Sequence, residues 1–167
     1  LVLALWLAWE SVLEHEHQHL REGANLAKNY ATAVDQFLNE RLNALNLLAV
    51  SPLADDPRHW PDLFAEAQGF RLSFGTHVIF ADTERRMRFI TRSPFGAPLP
   101  QLPLSKGRSA APLALATGKP QVGDIVFGPV SRQPLVAIVV PGLRDGRVAH
   151  LMLTTLETAL LQQRLEQ

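Results

Sequence analysis

The first 51 residues contain no proline and a single glycine, Gly23, whereas all twelve prolines fall between Pro52 and Pro141. Proline removes a backbone donor and clashes with the preceding helical turn. The chain therefore divides into one uninterrupted helical stretch and a turn-rich remainder. Within the stretch, Leu13, Leu20, Ala27, Val34 and Leu48 share one seven-residue register, broken only by Arg41. His17, Ala24, Ala31, Leu38 and Leu45 lie four positions later in each heptad. This stripe predicts one helix from Glu10 to Val50, about 60 Å long at 1.5 Å per residue. A single small domain does not cover that length. Pairing of the helix with the same helix of a second copy, in a parallel homodimer, is expected, with the seam alanines allowing close approach.

Residues Leu1–Trp9 carry no charge, and two tryptophans precede Glu10. A membrane span needs about 20 apolar residues and is flanked by interfacial aromatics, so this segment reads either as the end of such a span or as an amphipathic helix start buried in the fold or in a partner. Sixteen basic and sixteen acidic residues balance, which argues against nucleic acid as a partner, since that needs a clustered positive excess. The absence of cysteine excludes disulfides, thiolate nucleophiles, cysteine-ligated zinc and iron–sulfur clusters. The sequence holds no G-x-S-x-G, no glycine-rich phosphate loop and no paired acid cluster. No catalytic residue and no cofactor are assigned, and the chain reads as a non-enzyme.

Ser51-Pro52 ends the long helix. Asp55-Asp56-Pro57 reads as a cap with proline in the first turn, opening a short helix whose apolar face is Leu63, Phe64 and Ala67 and whose stop is Gly69. Next come two β-rich runs, His77–Ala81 and Met87–Thr91, flanking a hairpin turn, and then the proline-stiffened loop Arg92–Pro103. Ser109–Thr117, closed by Gly118, reads as a helix. QVGDIVF, PLVAIVVP and RVAHLMLTT supply three further strands, the last two joined by the turn Gly142–Gly146. PLVAIVVP has no polar residue, so both its faces should be covered. The tail from Leu156 reads as an amphipathic exit helix. The expected class is α+β: an antiparallel sheet of five strands with helices covering it. The boundaries fall at 1–50 for the membrane-proximal end and long helix, 51–155 for one domain, and 156–167 for the exit helix.

His15-Glu16-His17-Gln18-His19 matches H-E-x-x-H, in which His15 and His19, one helical turn apart, share a zinc and Glu16 acts as general base. This gives an alternative reading as a small membrane-associated zinc hydrolase. Glu40 lies downstream, where some such enzymes place a third ligand, but on a continuous helix it stands about 30 Å from His19. The other reading of the motif is a solvated helix face.

ERLNALNLLAVSPL, HVIFADTERRMRFITRSPFGAPLP and TGKPQVGDIVFGPVSRQPLVAIVVPGLRDGRV together resemble the extracytoplasmic Cache (PAS-like) sensor domain of bacterial membrane receptors, above all histidine kinases and some diguanylate cyclases. The resemblance covers about residues 40–155. The first hairpin, ADTERR, lacks the family's usual glycine, and Ile90 stands where asparagine is common before Thr91-Arg92. The resemblance implies a PAS-like fold, a periplasmic location between membrane helices, and a ligand cavity between the sheet and the crossing segment Arg92–Gly118. The candidate ligand-binding residues are Arg92, Phe95, Asp124 and His77. An arginine at a strand end suits a carboxylate, Asp124 suits an amine, and Phe95 is placed as a lid over a small polar or anionic ligand. The plainer alternatives are a rim ion pair between Arg92 and Asp124, a structural role for His77 and His150, Phe95 as an aromatic plug closing the core, and a ligand-free dimerisation scaffold.

Overall fold

The long helix ends where Ser51-Pro52 predicts: α1 spans Val2–Val50. The structure, a computed structural model, describes the backbone of Val2–Leu165 and the side chains of residues 21–160, 162 and 163. The side chains of His15, Glu16 and His19, and those of the apolar run Leu1–Trp9, lie outside the described residues. Internal contacts divide the chain into two units, Leu1–Asn39 and Glu40–Gln167. The first is helical, and its side chains from Arg21 to Gln36 are exposed. Among the described residues no helix is long and apolar enough to cross a membrane.

The second unit is α+β. After two short 3-10 turns come α2 (Trp60–Phe74), β1 (Val78–Asp82), β2 (Met87–Ile90) and α3 (Ala110–Thr117). The chain then adds β3 (Gln121–Val122), β4 (Val126–Phe127), β5 (Pro134–Arg144), β6 (Arg147–Glu157) and α4 (Thr158–Leu165). The sheet is antiparallel in the order β2-β1-β6-β5-β3, with β4 also pairing to β5. Successive strand residues face opposite sides of the sheet, so its two faces carry two cores. On one face Ile79, Val139, Leu151 and Leu153 pack with Ala110, Ala111 and Ala114 of α3 and with Leu102 of the crossing loop. On the other, Phe80 meets Trp60 edge-on at 5.4 Å between ring centroids, and His150 reaches Ala49 at the end of α1. The apolar strand β5 lies inside the sheet between β6 and the short β3 and β4, with α3 packed against it.

Local chemistry accounts for most element ends. Asp56 Oδ1 accepts the Arg58 N–H at 2.9 Å beside Pro57, but it caps the 3-10 turn Pro57–His59, and α2 itself starts at Trp60 without a side-chain cap. Helix α2 does not stop at Gly69. Its apolar positions Leu63, Ala67 and Phe70 continue the 3.6-residue period through that glycine, and their burial outweighs the roughly 1 kcal/mol that an interior glycine costs. The helix ends instead at Gly75, which takes φ +70° and donates its N–H to Arg71 O. Arg41, the polar break in the α1 register, is buried, donates to Phe74 O at 3.1 Å and lies over the Phe74 ring. It thus satisfies a carbonyl at the C-terminus of α2.

The glycine-free hairpin turn works because Arg85 adopts φ +63° while Asp82 Oδ1 accepts the N–H groups of Glu84 and Arg86. QVGDIVF forms two short strands rather than one. Gly123-Asp124-Ile125 leaves the sheet between them, with the Asp124 N–H bonded to Arg108 O at 2.8 Å. The exit helix also begins later than Leu156, because Leu156 and Glu157 complete β6.

Candidate functional site

The crossing segment between β2 and α3 has no regular structure over residues 91–109, and its course leaves a cavity of about 50 Å³ against the sheet. That space is roomy enough to admit ordered water. The floor is apolar and comes from four strands: Ile79 of β1, Met87 and Ile90 of β2, Val139 of β5 and Leu153 of β6, with Leu102 from the loop. Ile90, at the position where the sensor family often has asparagine, is 5% exposed and belongs to this floor. The rim is polar: Arg92, Ser105, Arg108, Ser109, Asp124 and Ser131. An apolar bed with a few convergent polar groups is the usual build of a small-molecule site.

Arg92 enters the cavity from a firmly held stem. Thr91 exchanges backbone and side-chain hydrogen bonds with Val78, at 3.0 Å each, and its carbonyl accepts Gln68 Nε2 at 3.1 Å. The Arg92 guanidinium donates to Glu157 Oε1 at 2.6 Å, with both side chains about one-third exposed. Arg92 and Asp124 line the same cavity, but the ion pair that Arg92 makes is with Glu157. Asp124 Oδ2 accepts the Arg108 N–H at 2.7 Å, which ties the crossing loop to the segment between β3 and β4. A Cβ at Gly107 would overlap this carboxylate, so the glycine makes the tie possible. Ser131 Oγ, also on the rim, is buried with no hydrogen-bond partner among the described residues.

Phe95 and His77 lie elsewhere. The Phe95 ring packs on Phe64 at 5.6 Å and Phe89 at 6.4 Å, outside the cavity lining. His77 Nδ1 shares a hydrogen bond of 3.0 Å with Thr91 Oγ1, one residue behind Arg92. Glu157 and Arg108 escape sequence reasoning. Glu157 sits 65 residues from its partner, and the two strand ends come together through β1, which pairs with both β2 and β6. Among the described residues no group of three or more His, Cys, Asp and Glu side chains could hold a metal ion.

His150, across the sheet from the cavity, binds Ala49 O through Nε2 at 2.9 Å. It packs so closely on Gly142 that a Cβ there would overlap its ring. Burial is the main cause holding its pKa below the ordinary value, and Arg144 adds to it against the opposing hydrogen bond to Ala49. Burial likewise lowers His77, helped by the charges of Arg92 and Arg71. Both are thus neutral in the folded protein at pH 7, whereas in the unfolded chain they protonate near pH 6.5. Their contribution is fully present above about pH 6.5 and is lost as the pH falls through that value toward their folded pKa values. Urea midpoints are therefore expected to be level from about pH 8 to 7 and to decline from about pH 6.5 downward. The decline should be shallower in His150→Gln. A midpoint that rises on acidification would contradict the assignment.

The comparisons with solved structures agree on one architecture. The ligand-binding domain of the Pseudomonas aeruginosa PAO1 amino acid chemoreceptor PctB, in complex with L-Gln, matches with a TM-score of 0.66 at 16% identity, covering 84% of this chain and 56% of that one. The sensory domain of the Campylobacter jejuni chemoreceptor Tlp3, with isoleucine bound, gives 0.64 at 15% identity, with coverages of 84% and 60%. The ligand-binding domain of the Pseudomonas fluorescens chemoreceptor CtaA, in complex with L-serine, gives 0.63 at 12%, with 80% and 57%. The chain has the fold of these sensor domains. It spans 56–60% of the length of the three structures. No family model matches the sequence, and no curated protein matches it. At these identities the likeness is one of fold.

Proposed function

We propose that this chain is the extracytoplasmic ligand-sensing domain of a bacterial transmembrane receptor, holding a small polar or anionic molecule in the cavity and relaying its presence through α1 and α4. The carrying observation is the cavity itself, an apolar floor rimmed by Arg92, Arg108, Asp124 and the unpaired Ser131 hydroxyl. An unsatisfied buried hydroxyl costs about 1–3 kcal/mol, which a ligand or solvent partner relieves. In this reading Arg92 takes an acid group, and Asp124, which lines the same cavity, receives an amine or hydroxyl. Phe95 acts from behind, bracing the loop that carries Arg92. The three chemoreceptor domains of the same fold hold amino acids, so small amino acids stand beside short organic acids as the first compounds to try. The sequence resemblance favours a histidine kinase as output, and the solved neighbours favour a chemoreceptor signalling domain. The periplasmic location and flanking membrane helices follow from the same reading. A thermal-shift screen of organic and amino acids tests it: at least one compound should raise the unfolding temperature.

Dimerisation through α1 is the second part of the proposal. Of the described seam positions of the first unit, Ala24, Ala27, Ala31 and Val34 are exposed and Leu38 is half-buried, and Leu26 and Tyr30 beside them are exposed too. A partner helix on this stripe removes apolar surface from water and places two copies side by side, so that a small helix shift carries a signal. Replacing both Ala27 and Val34 by Glu is expected to shift sedimentation of the detergent-solubilised receptor domain from dimer to monomer. A strictly monomeric wild type would contradict the pairing.

A further inference from the structure

Glu157 occupies a junction between the cavity and the exit helix. It is the last residue of β6, and Thr158 begins α4. Its carboxylate is bound to Arg92, which itself lines the cavity. The β6 residues Leu153 and Thr155 line the same cavity, and Leu135, the β5 residue opposite Glu157, lines it too. Thr91 pins the Arg92 backbone through bonds to Val78 and Gln68. The stem of Arg92 is therefore fixed, and its guanidinium is held by the contact with Glu157.

We propose that Glu157 is a built-in competitor of the ligand's acid group for Arg92, so that a ligand engaging Arg92 releases the β6–α4 junction. The proposal rests on the reading of the cavity as an anion-accepting site. An arginine fork holds one carboxylate best in the two-bond, in-plane geometry. The Glu157 contact uses one terminal nitrogen and one oxygen. A ligand carboxylate arriving from the cavity side brings a second negative charge against Glu157 and competes for the same cation. Binding of the ligand and closure of the Arg92–Glu157 pair are then linked, and linkage is reciprocal: whatever breaks the pair strengthens ligand binding by the factor with which the ligand breaks the pair. Glu157 is in this sense a determinant of affinity that never has to touch the ligand, and the same side chain transmits occupancy to α4.

The test uses hydrogen exchange of the α4 amides together with binding titrations of propionate and L-alanine, on wild type, Glu157→Gln and Arg92→Gln. Without any added compound, both variants should exchange faster at residues 161–165, the hydrogen-bonded amides of α4, than the wild type. Propionate or L-alanine should speed exchange there in the wild type and leave it unchanged in Glu157→Gln. That variant should also bind the compound about ten-fold more tightly, within the usual range of such couplings. Unaltered α4 exchange in both compound-free variants overturns the latch, whatever the cavity binds. A compound that binds the wild type without changing α4 exchange overturns the coupling alone. If the variants loosen α4 but neither compound binds any form, the anion-site reading fails and takes the coupling with it.

Discussion

Phe80→Ala is expected to cost about 3–5 kcal/mol of folding stability, the range for truncating a buried phenylalanine. The position is 2% exposed, on β1 between β2 and β6. Its ring meets Trp60 edge-on, lies 5.3 Å from Phe89 and 5.3 Å from His150. Each such aromatic pair adds about 0.5–1.5 kcal/mol beyond the buried area, so the loss should fall in the upper part of the range. Phe80 also joins elements distant in sequence: Trp60 opens α2, and His150 fastens β6 to the end of α1. Set against a total of about 5–15 kcal/mol for a typical domain, the change removes a large share of the stability. Urea unfolding should show a much lower midpoint with an unchanged slope. A loss below about 1 kcal/mol would mean that the two-faced core is wrongly described, since only an exposed or collapsible site behaves that way.

The elements whose signals are local were legible in the sequence. The proline-free heptad run marks α1, Asp56-Pro57 marks the start leading to α2, Gly118 closes α3, and the two apolar strands before and after Asp145-Gly146 form the long hairpin. The errors arose where tertiary contacts overrode local signals. Gly69 looks like a stop, but the face carrying Leu63, Ala67 and Phe70 continues past it into the core. Gly123-Asp124 reads as strand, yet the Asp124 bonds to Arg108 draw it off the sheet. For the site, Arg92 and Asp124 were visible as charges at strand ends and both line the cavity. Glu157 was not visible, because its relevance depends on β6 lying beside β1 with Thr154 opposite Val78. No spacing rule connects residues 92 and 157. Phe95 illustrates the opposite problem: an aromatic in a loop suits a lid or a brace equally well until its neighbours Phe64 and Phe89 are known.

Arg92→Ala is expected to abolish ligand-induced stabilisation while leaving the fold intact. The pair with Glu157 is partly exposed, and ion pairs of that kind contribute about 0–1 kcal/mol, so the ligand-free variant should unfold near the wild-type temperature. Ligand linkage is larger. At a free concentration a hundred times its dissociation constant, a ligand stabilises the wild type by about 2.7 kcal/mol. For a domain of this size that corresponds to roughly 5–10 °C in unfolding temperature. The most direct measurement is the thermal shift of wild type and Arg92→Ala with each compound that stabilises the wild type. The account predicts a concentration-dependent rise in the wild type and none in the variant. An equal shift in both proteins would contradict Arg92 as the anchor, and the absence of any shift in the wild type across organic and amino acids would contradict the cavity as a sensing site.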